Sequence, residues 1–328
     1  MHIKTISKIF GTNSHILFNP IRIFCAGNHS KKKSIVLSFG DGTQGALGLP
    51  AVLGGHGADA YEPTLIPGLP DNIVSLSAGH YHSLAVTSDG HLWSWGRDQE
   101  SQLGRRLSSP REIWNEPRRV DFPNDIKIAS AAASGVISSA IDTYGSVWIW
   151  GTSKRGQLGL GEGIITSFLP SKIDGLDGET IRKVSFGWGH ALALSDKGKL
   201  FGWGYAADGR IGRIGGSFVS PLESPHGSSS EEEMPIVWKP LPVEEFSGIE
   251  VKDIACGLDH SLILCGNGSI YSSGSNIYGQ LGRESRGTGM FQVERESACG
   301  KSVAAGLGHS FAVCEGEERG GSRVVSWG

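Results

Sequence analysis

The chain has 328 residues, 49 of them glycine, and 30 Lys and Arg stand against 33 Asp and Glu for a formal charge of -3. Glycine at this density without a Gly-x-y period excludes collagen, the regular apolar runs exclude disorder, and together they predict many tight turns. No run of about 18 apolar residues exists, so no membrane span is expected, and a mildly acidic chain is not built to coat nucleic acid by bulk charge.

The first 40 residues are set apart from the rest, because the first acid is Asp41. Lys4, Lys8, Arg22, Lys31, Lys32 and Lys33 supply the charge, and Ile3, Ile6, Ile9 and Phe10 fall on one helical face. An acid-free, basic, amphipathic N-terminus has the composition of an organelle transit peptide. The stretch RIFCA, Arg22 to Ala26, is similar to a matrix-protease cleavage site, with Arg just upstream of an aromatic. Residues 1–33 are therefore expected to be a mitochondrial transit peptide and basic leader, and 34–328 a repeat domain. Cleavage near Cys25 removes Lys4, Lys8 and Arg22 and takes the formal charge from -3 to -6.

From residue 34 one pattern returns. Gly40, Gly96, Gly151, Gly204, Gly274 and Gly328 close Trp-Gly-type ends at spacings of 56, 55, 53, 70 and 54 residues. A second series lies between them: GHYHSLAV, SGVISSAI, GWGHALAL, GLDHSLIL and GLGHSFAV. Periods in this range indicate a solenoid, a propeller or an array. Within each unit an apolar run meets a turn at Asp89-Gly90, Tyr144-Gly145, Lys197-Gly198 or Asn267-Gly268. Asp-Gly between apolar runs predicts a hairpin with positive φ at both turn positions. Another β-type run precedes each Gly-x-x-His, and an x-Pro pair (Glu62-Pro63, Glu116-Pro117, Leu169-Pro170, Lys239-Pro240) marks an edge strand. About four strands per unit is the content of a propeller blade.

The combination of Gly-x-x-His-Ser, the Asp-Gly turn, Trp-Gly and x-Gln-Leu-Gly resembles the repeat of the regulator of chromosome condensation family, over roughly Ser34 to Gly328. The resemblance implies an all-β fold, a β-propeller that is seven-bladed in the family. About five repeats are present, so the ring is expected to be incomplete and the chain a truncated form. The second unit departs from the pattern, with Ser134 in place of Gly and Ile137 in place of His. Two loops depart from the period, at 104–119 and 213–240.

The repeated residues Gly79, His82, Gly96, Gly151, Gly187, His190, Gly204, Gly257, His260, Gly274, Gly306 and His309 are read as architecture. Four histidines at one repeat position are expected to make structural hydrogen bonds in separate blades, since metal ligands must converge within about 2 Å of one ion. Some relatives sense ultraviolet light through tryptophans at the position of Trp188; the other units have Tyr81, Val136, Leu258 and Leu307, so a tryptophan cluster is not expected. The GKS at Gly300 lacks the glycine of a phosphate loop, and no cofactor, metal or catalytic constellation is expected. The five cysteines, 25, 256, 265, 299 and 314, form no Cys-x-x-Cys pair and are expected to be buried free thiols. One loop gathers Arg105, Arg106, Arg111, Arg118 and Arg119 around Trp114, a composition suited to RNA phosphates and a stacked base, or to a protein partner.

The leader, the repeat and the unit VKDIACGLDHSLIL together resemble a plant mitochondrial member of the family. That implies a non-enzymatic scaffold, with protein partners on its loops, in maturation or splicing of mitochondrial transcripts and so in respiratory complex I biogenesis. Guanine-nucleotide exchange on a small GTPase, the activity of the family's namesake, is the alternative.

Overall fold

The computed structural model describes residues 33–42, 44–50, 59–106, 115–215, 235–284, 289–293, 300–316 and 321–328, and the backbone of 22–27. Trp114, Arg111, Cys299 and the centres of both long loops lie outside the described residues. The fold is all-β, a succession of antiparallel sheets. The first sheet holds β1 (Arg22–Gly27), β2 (Ser34–Gly40) and β3 (Ala60–Leu65). The second holds β4 (Ile73–Ala78), β5 (His82–Thr87), β6 (Leu92–Gly96) and β7 (Arg118–Val120). The third runs β8 (Ile128–Ala133), β9 (Ile137–Asp142), β10 (Val147–Thr152) and β11 (Thr166–Lys172). The fourth runs β12 (Ile181–Phe186), β13 (His190–Ser195), β14 (Leu200–Tyr205) and β15 (Ile236–Pro242). The fifth runs β16 (Val251–Cys256), β17 (His260–Cys265), β18 (Ile270–Gly274) and β19 (Phe291–Gln292). The sixth holds β20 (Gly300–Ala305), β21 (Ser310–Glu315) and β22 (Ser322–Trp327). The expected repeats are thus four four-stranded sheets flanked by two three-stranded ones. β1 contains the RIFCA stretch and pairs with β2 along its whole length.

The first strands of the second to sixth sheets, β4, β8, β12, β16 and β20, neighbour one another in succession, as blades do around an axis. The second strands are buried along their whole length in β5, β9, β13 and β17, which explains their unbroken apolar and serine composition. Pro63, Pro170 and Pro240 lie on the outermost strands, where a missing N–H is tolerated. The register against the neighbouring strand jumps there: Gly151 faces Ser167 while Ile149 faces Ser171, with Leu169-Pro170 looped out between.

The hairpin turns differ from the expected type. Thr87 N–H reaches the His91 carbonyl and Gly90 N–H the Thr87 carbonyl, so three residues, 88 to 90, form the loop. Only the glycine carries positive φ, from +75° at Gly198 to +84° at Gly268, and Asp89, Tyr144, Lys197 and Asn267 do not. This is a tight turn ending in one left-handed residue, which accepts Tyr144 or Lys197 ahead of the glycine as readily as Asp. Its carbonyl then holds the next sheet: Gly90, Gly145, Gly198 and Gly268 accept from Ile128, Ile181, Val251 and Gly300.

At the other end of the strands four of the five junctions between successive sheets are stapled by tryptophan. Trp95, Trp150 and Trp203 are fully buried, and their Nε1–H groups donate to the carbonyls of Ala46, Gln102 and Gln157 at 2.9, 2.9 and 2.7 Å. Trp327 donates to the Gln280 carbonyl at 2.9 Å. Two residues after each acceptor stands a glycine under the indole. At Gly104, φ +64°, a Cβ would lie 2.4 Å from the Trp150 Nε1; at Gly163, φ +73°, it would meet nothing within 4 Å.

Gly163→Ala is therefore expected to cost only the left-handed torsion, about 1–2 kcal/mol. Gly104→Ala adds displacement of a buried indole, about 1–3 kcal/mol more. Urea-unfolding midpoints of the two variants check this, and equal losses would contradict the tryptophan staple.

Candidate functional site

The Gly-x-x-His turns of five sheets converge at one end of the axis. Their glycines answer a need for space, since Gly79, Gly187, Gly257 and Gly306 do not have positive φ. A Cβ at Gly187 would lie 2.1 Å from the ring of its own His190 and 2.6 Å from the Gly257 carbonyl; Gly257 meets His260 and the Gly306 carbonyl at the same distances. The Trp-Gly glycines Gly96, Gly151, Gly204 and Gly274 do need their left-handed torsion, with φ between +92° and +114°, and each abuts a carbonyl of its own sheet's turn.

The histidines link neighbours. His82 Nε2 meets Ser138 Oγ at 2.7 Å, His190 meets Ser261 at 2.9 Å and His260 meets Ser310 at 2.9 Å, each serine on the next sheet. Those serines donate their only hydroxyl proton to the carbonyls of Gln102, Arg210 and Gln280, each at 2.7 Å. The histidine must then be the donor through Nε2–H, which leaves Nδ1 as a bare lone pair. Nδ1 of His82, His190 and His260 is buried without a hydrogen-bond partner, as this tautomer requires. Burial lowers all three pKa values from 6.5: His82 to about 3, His260 to about 4, and His190 well below its ordinary value. His309 is half-buried against Phe311. No group of three His, Cys, Asp or Glu among the described residues could hold a metal ion.

The departure at Ile137 has a partner. The serine that would receive a histidine from the third sheet is replaced by Ala191, and Ile137 and Ala191 belong to one buried core cluster. Donor and acceptor are absent together, so neither is stranded.

Between the turns lies a small cavity of about 30 Å³, lined among others by His80, Gly135, Trp188, Leu258 and Leu307. These five are the true equivalents. Tyr81 and Val136, expected at the position of Trp188, stand one residue further along their turns, because the unit GHYH aligns His80 with Trp188. His80 and Trp188 meet edge-on at 5.7 Å across the space left by Gly135.

Residues 35–328 match the RCC1-like domain. The chain belongs to the RCC1-like family. It is 31% identical over 293 residues to the mitochondrial RCC1 domain-containing protein RUG3 of Arabidopsis thaliana, covering 85% of this chain and 59% of that one. It is 29% identical to the secretion-regulating guanine nucleotide exchange factor of Bos taurus, over 85% of this chain and 60% of that one. Among solved structures, Prp20p of Saccharomyces cerevisiae, described with its binding to Gsp1p and histones, superposes with a TM-score of 0.69 at 25% identity, covering 95% of this chain and 67% of that one. The chain spans 25% of the human probable ubiquitin ligase HERC6, 33% identical over 283 residues, and about three-fifths of the other two curated relatives.

Of the arginine loop in this RCC1-like chain, Arg105, Arg106, Arg118 and Arg119 are described. The guanidinium nitrogens of Arg105 are buried. Arg118 pairs with Glu116 at 3.3 Å, and Arg119 with Asp125 at 3.1 Å and Asp121 at 3.9 Å; Arg106 is exposed. Cys256, Cys265 and Cys314 are buried free thiols; burial pushes Cys256 up to about 12 and Cys265 to about 11, so both stay protonated at neutral pH. Sequence reading missed Arg155, whose guanidinium lies 5.4 Å from the Tyr205 ring and 6.0 Å from that of Trp188.

Two outcomes follow from the histidine geometry. Above pH about 6.5 the three buried histidines are neutral folded and unfolded alike. Below it the unfolded chain takes up protons that the folded sheets refuse, so stability falls as pH drops from about 6.5 toward about 4, by up to about 1.4 kcal/mol per pH unit for each. Unfolding midpoints between pH 7.5 and 4.5 read this slope, and His260→Gln should flatten it by one proton. In a double-mutant cycle, Ile137→His with Ala191→Ser should be less destabilised than the sum of the single changes by about 1 kcal/mol; strict additivity would refute the paired replacement.

Proposed function

We propose that this RCC1-like chain is a non-enzymatic interaction scaffold of the mitochondrial matrix, supporting maturation and splicing of mitochondrial transcripts and through them respiratory complex I biogenesis. The observation that carries the reading is likeness over 85% of the chain to a mitochondrial RCC1 domain protein, joined to an acid-free basic leader. Neutralised Arg118 and Arg119 and a buried Arg105 favour contact through protein partners rather than direct RNA binding. Cleavage within RIFCA, near Cys25, would remove most of β1 and leave β2 paired with β3.

Affinity purification of the tagged protein from isolated mitochondria, with and without ribonuclease, is expected to retain RNA-processing proteins in both cases. Mature N-terminal peptides should begin downstream of Arg22. Exchange on a small GTPase is the second reading, favoured by likeness to the secretion-regulating exchange factor. A GTPase as dominant partner, with acceleration of its nucleotide release by the purified protein, would replace the first reading with the second.

A further inference from the structure

At the axial mouth the loops that follow each Trp-Gly carry several charges that are settled by local ion pairs; the third sheet's loop, with Lys154 and Arg155, is different. Arg97 pairs with Glu100 at 2.5 Å. Arg210 pairs with Asp208 at 2.9 Å and with Asp259 of the next sheet at 2.5 Å. In the third sheet's loop the position of Glu100 and Asp208 is held by Arg155. Among the described residues Arg155 makes no ion pair; its side chain lies in the notch above Gly189, where a Cβ would meet its Cδ at 2.8 Å. Tyr205 and Trp188 flank its guanidinium, so the charge is fixed in place rather than free to wander. Beside it Trp188 is 45% exposed and Leu307 44% exposed, around a cavity of about 30 Å³. Tyr278, in the fifth sheet's corresponding loop, fills the notch above Gly308 and is 68% exposed.

We infer that this mouth binds a peptide segment of a partner protein in which a carboxylate side chain stands next to an apolar one. Arg155 takes the carboxylate through its planar fork. The apolar neighbour covers Trp188 and Leu307 and sends its tip into the cavity. One fixed arginine with the exposed Lys154 beside it, in a chain of net charge -3, also matches a short acidic segment better than a row of phosphates. The inference deepens the scaffold reading by giving the chemistry of what the scaffold holds, and its test requires no mitochondrial material.

A random dodecapeptide phage library selected on the purified protein is the probe, with Arg155→Met and Trp188→Ala carried in parallel and their folding checked by circular dichroism and unfolding midpoint. Peptides with Asp or Glu adjacent to an apolar residue should dominate on the parent protein. A synthetic winner should lose at least tenfold in affinity on Arg155→Met, on Trp188→Ala, and when its acid is changed to the amide. No enrichment, enrichment without an acid, or winners indifferent to Arg155 would overturn the inference. So would Arg155-dependent binding of decauridine RNA without peptide selection, or Trp188-dependent dimers in sedimentation. Loss of the mitochondrial partners with the peptide motif intact would instead overturn only the choice of compartment and pathway.

Discussion

One backbone carbonyl in each of the first five sheets depends on the sheet that follows. The carbonyls of Ala46, Gln102, Arg210 and Gln280 each accept two hydrogen bonds from the next sheet, and Gln157 accepts one. The donors are the serine after the repeat histidine and the tryptophan of Trp-Gly, with Ser273 standing in where the fifth sheet lacks the indole. A buried carbonyl left without a partner costs about 1–3 kcal/mol. No sheet therefore satisfies its own polar groups, and each is completed by its neighbour, as in arrays whose stability is a sum of unit and nearest-neighbour terms.

The opposite end of the strands repeats the principle with backbone alone. The hairpin glycines Gly90, Gly145, Gly198 and Gly268 offer their carbonyls to the start of the next sheet, and each has the left-handed φ of its turn. Clamped at both ends, neighbouring sheets have little freedom in the angle between them. The periodic residues are consumed by this clamping, which leaves chemistry to positions where the units differ, such as Arg155 and Trp188.

This division explains what the sequence disclosed. Glycine, tryptophan and histidine recur because the same contact recurs, so the sheets, their order and the outer-strand prolines were legible. The hairpin type was not, because Asp89-Gly90 alone suggests positive φ at both positions, and only Tyr144 and Lys197 in the same place argue for a single left-handed residue. The register of Trp188 was not legible because GHYH holds two histidines, and only His82 occupies the repeat position that places His80 opposite Trp188. The Arg119 ion pair was not legible because its partner Asp125 stands six residues further on, beyond the end of β7. Arg155 was invisible because its meaning lies in Trp188 and Tyr205, which belong to another sheet.

The irregular junction between the third and fourth sheets shows that the histidine–serine bridge is one solution among several. Ile137 and Ala191 remove both halves of it, and the tryptophan bond from Trp203 to Gln157 remains. There the Gln157 amide crosses instead, donating to the carbonyls of Gly187 at 2.8 Å and His190 at 3.3 Å. In the second sheet the equivalent Gln102 side chain stays within its own loop, bonded to Glu100. At the fourth-to-fifth junction Arg210 adds its bond to Asp259 alongside the His190–Ser261 bridge. Each junction thus keeps at least one polar side-chain bridge beside the tryptophan or its serine substitute. A bridge can be exchanged for another only if donor and acceptor leave together, since a lone buried histidine or hydroxyl would carry the full penalty of desolvation.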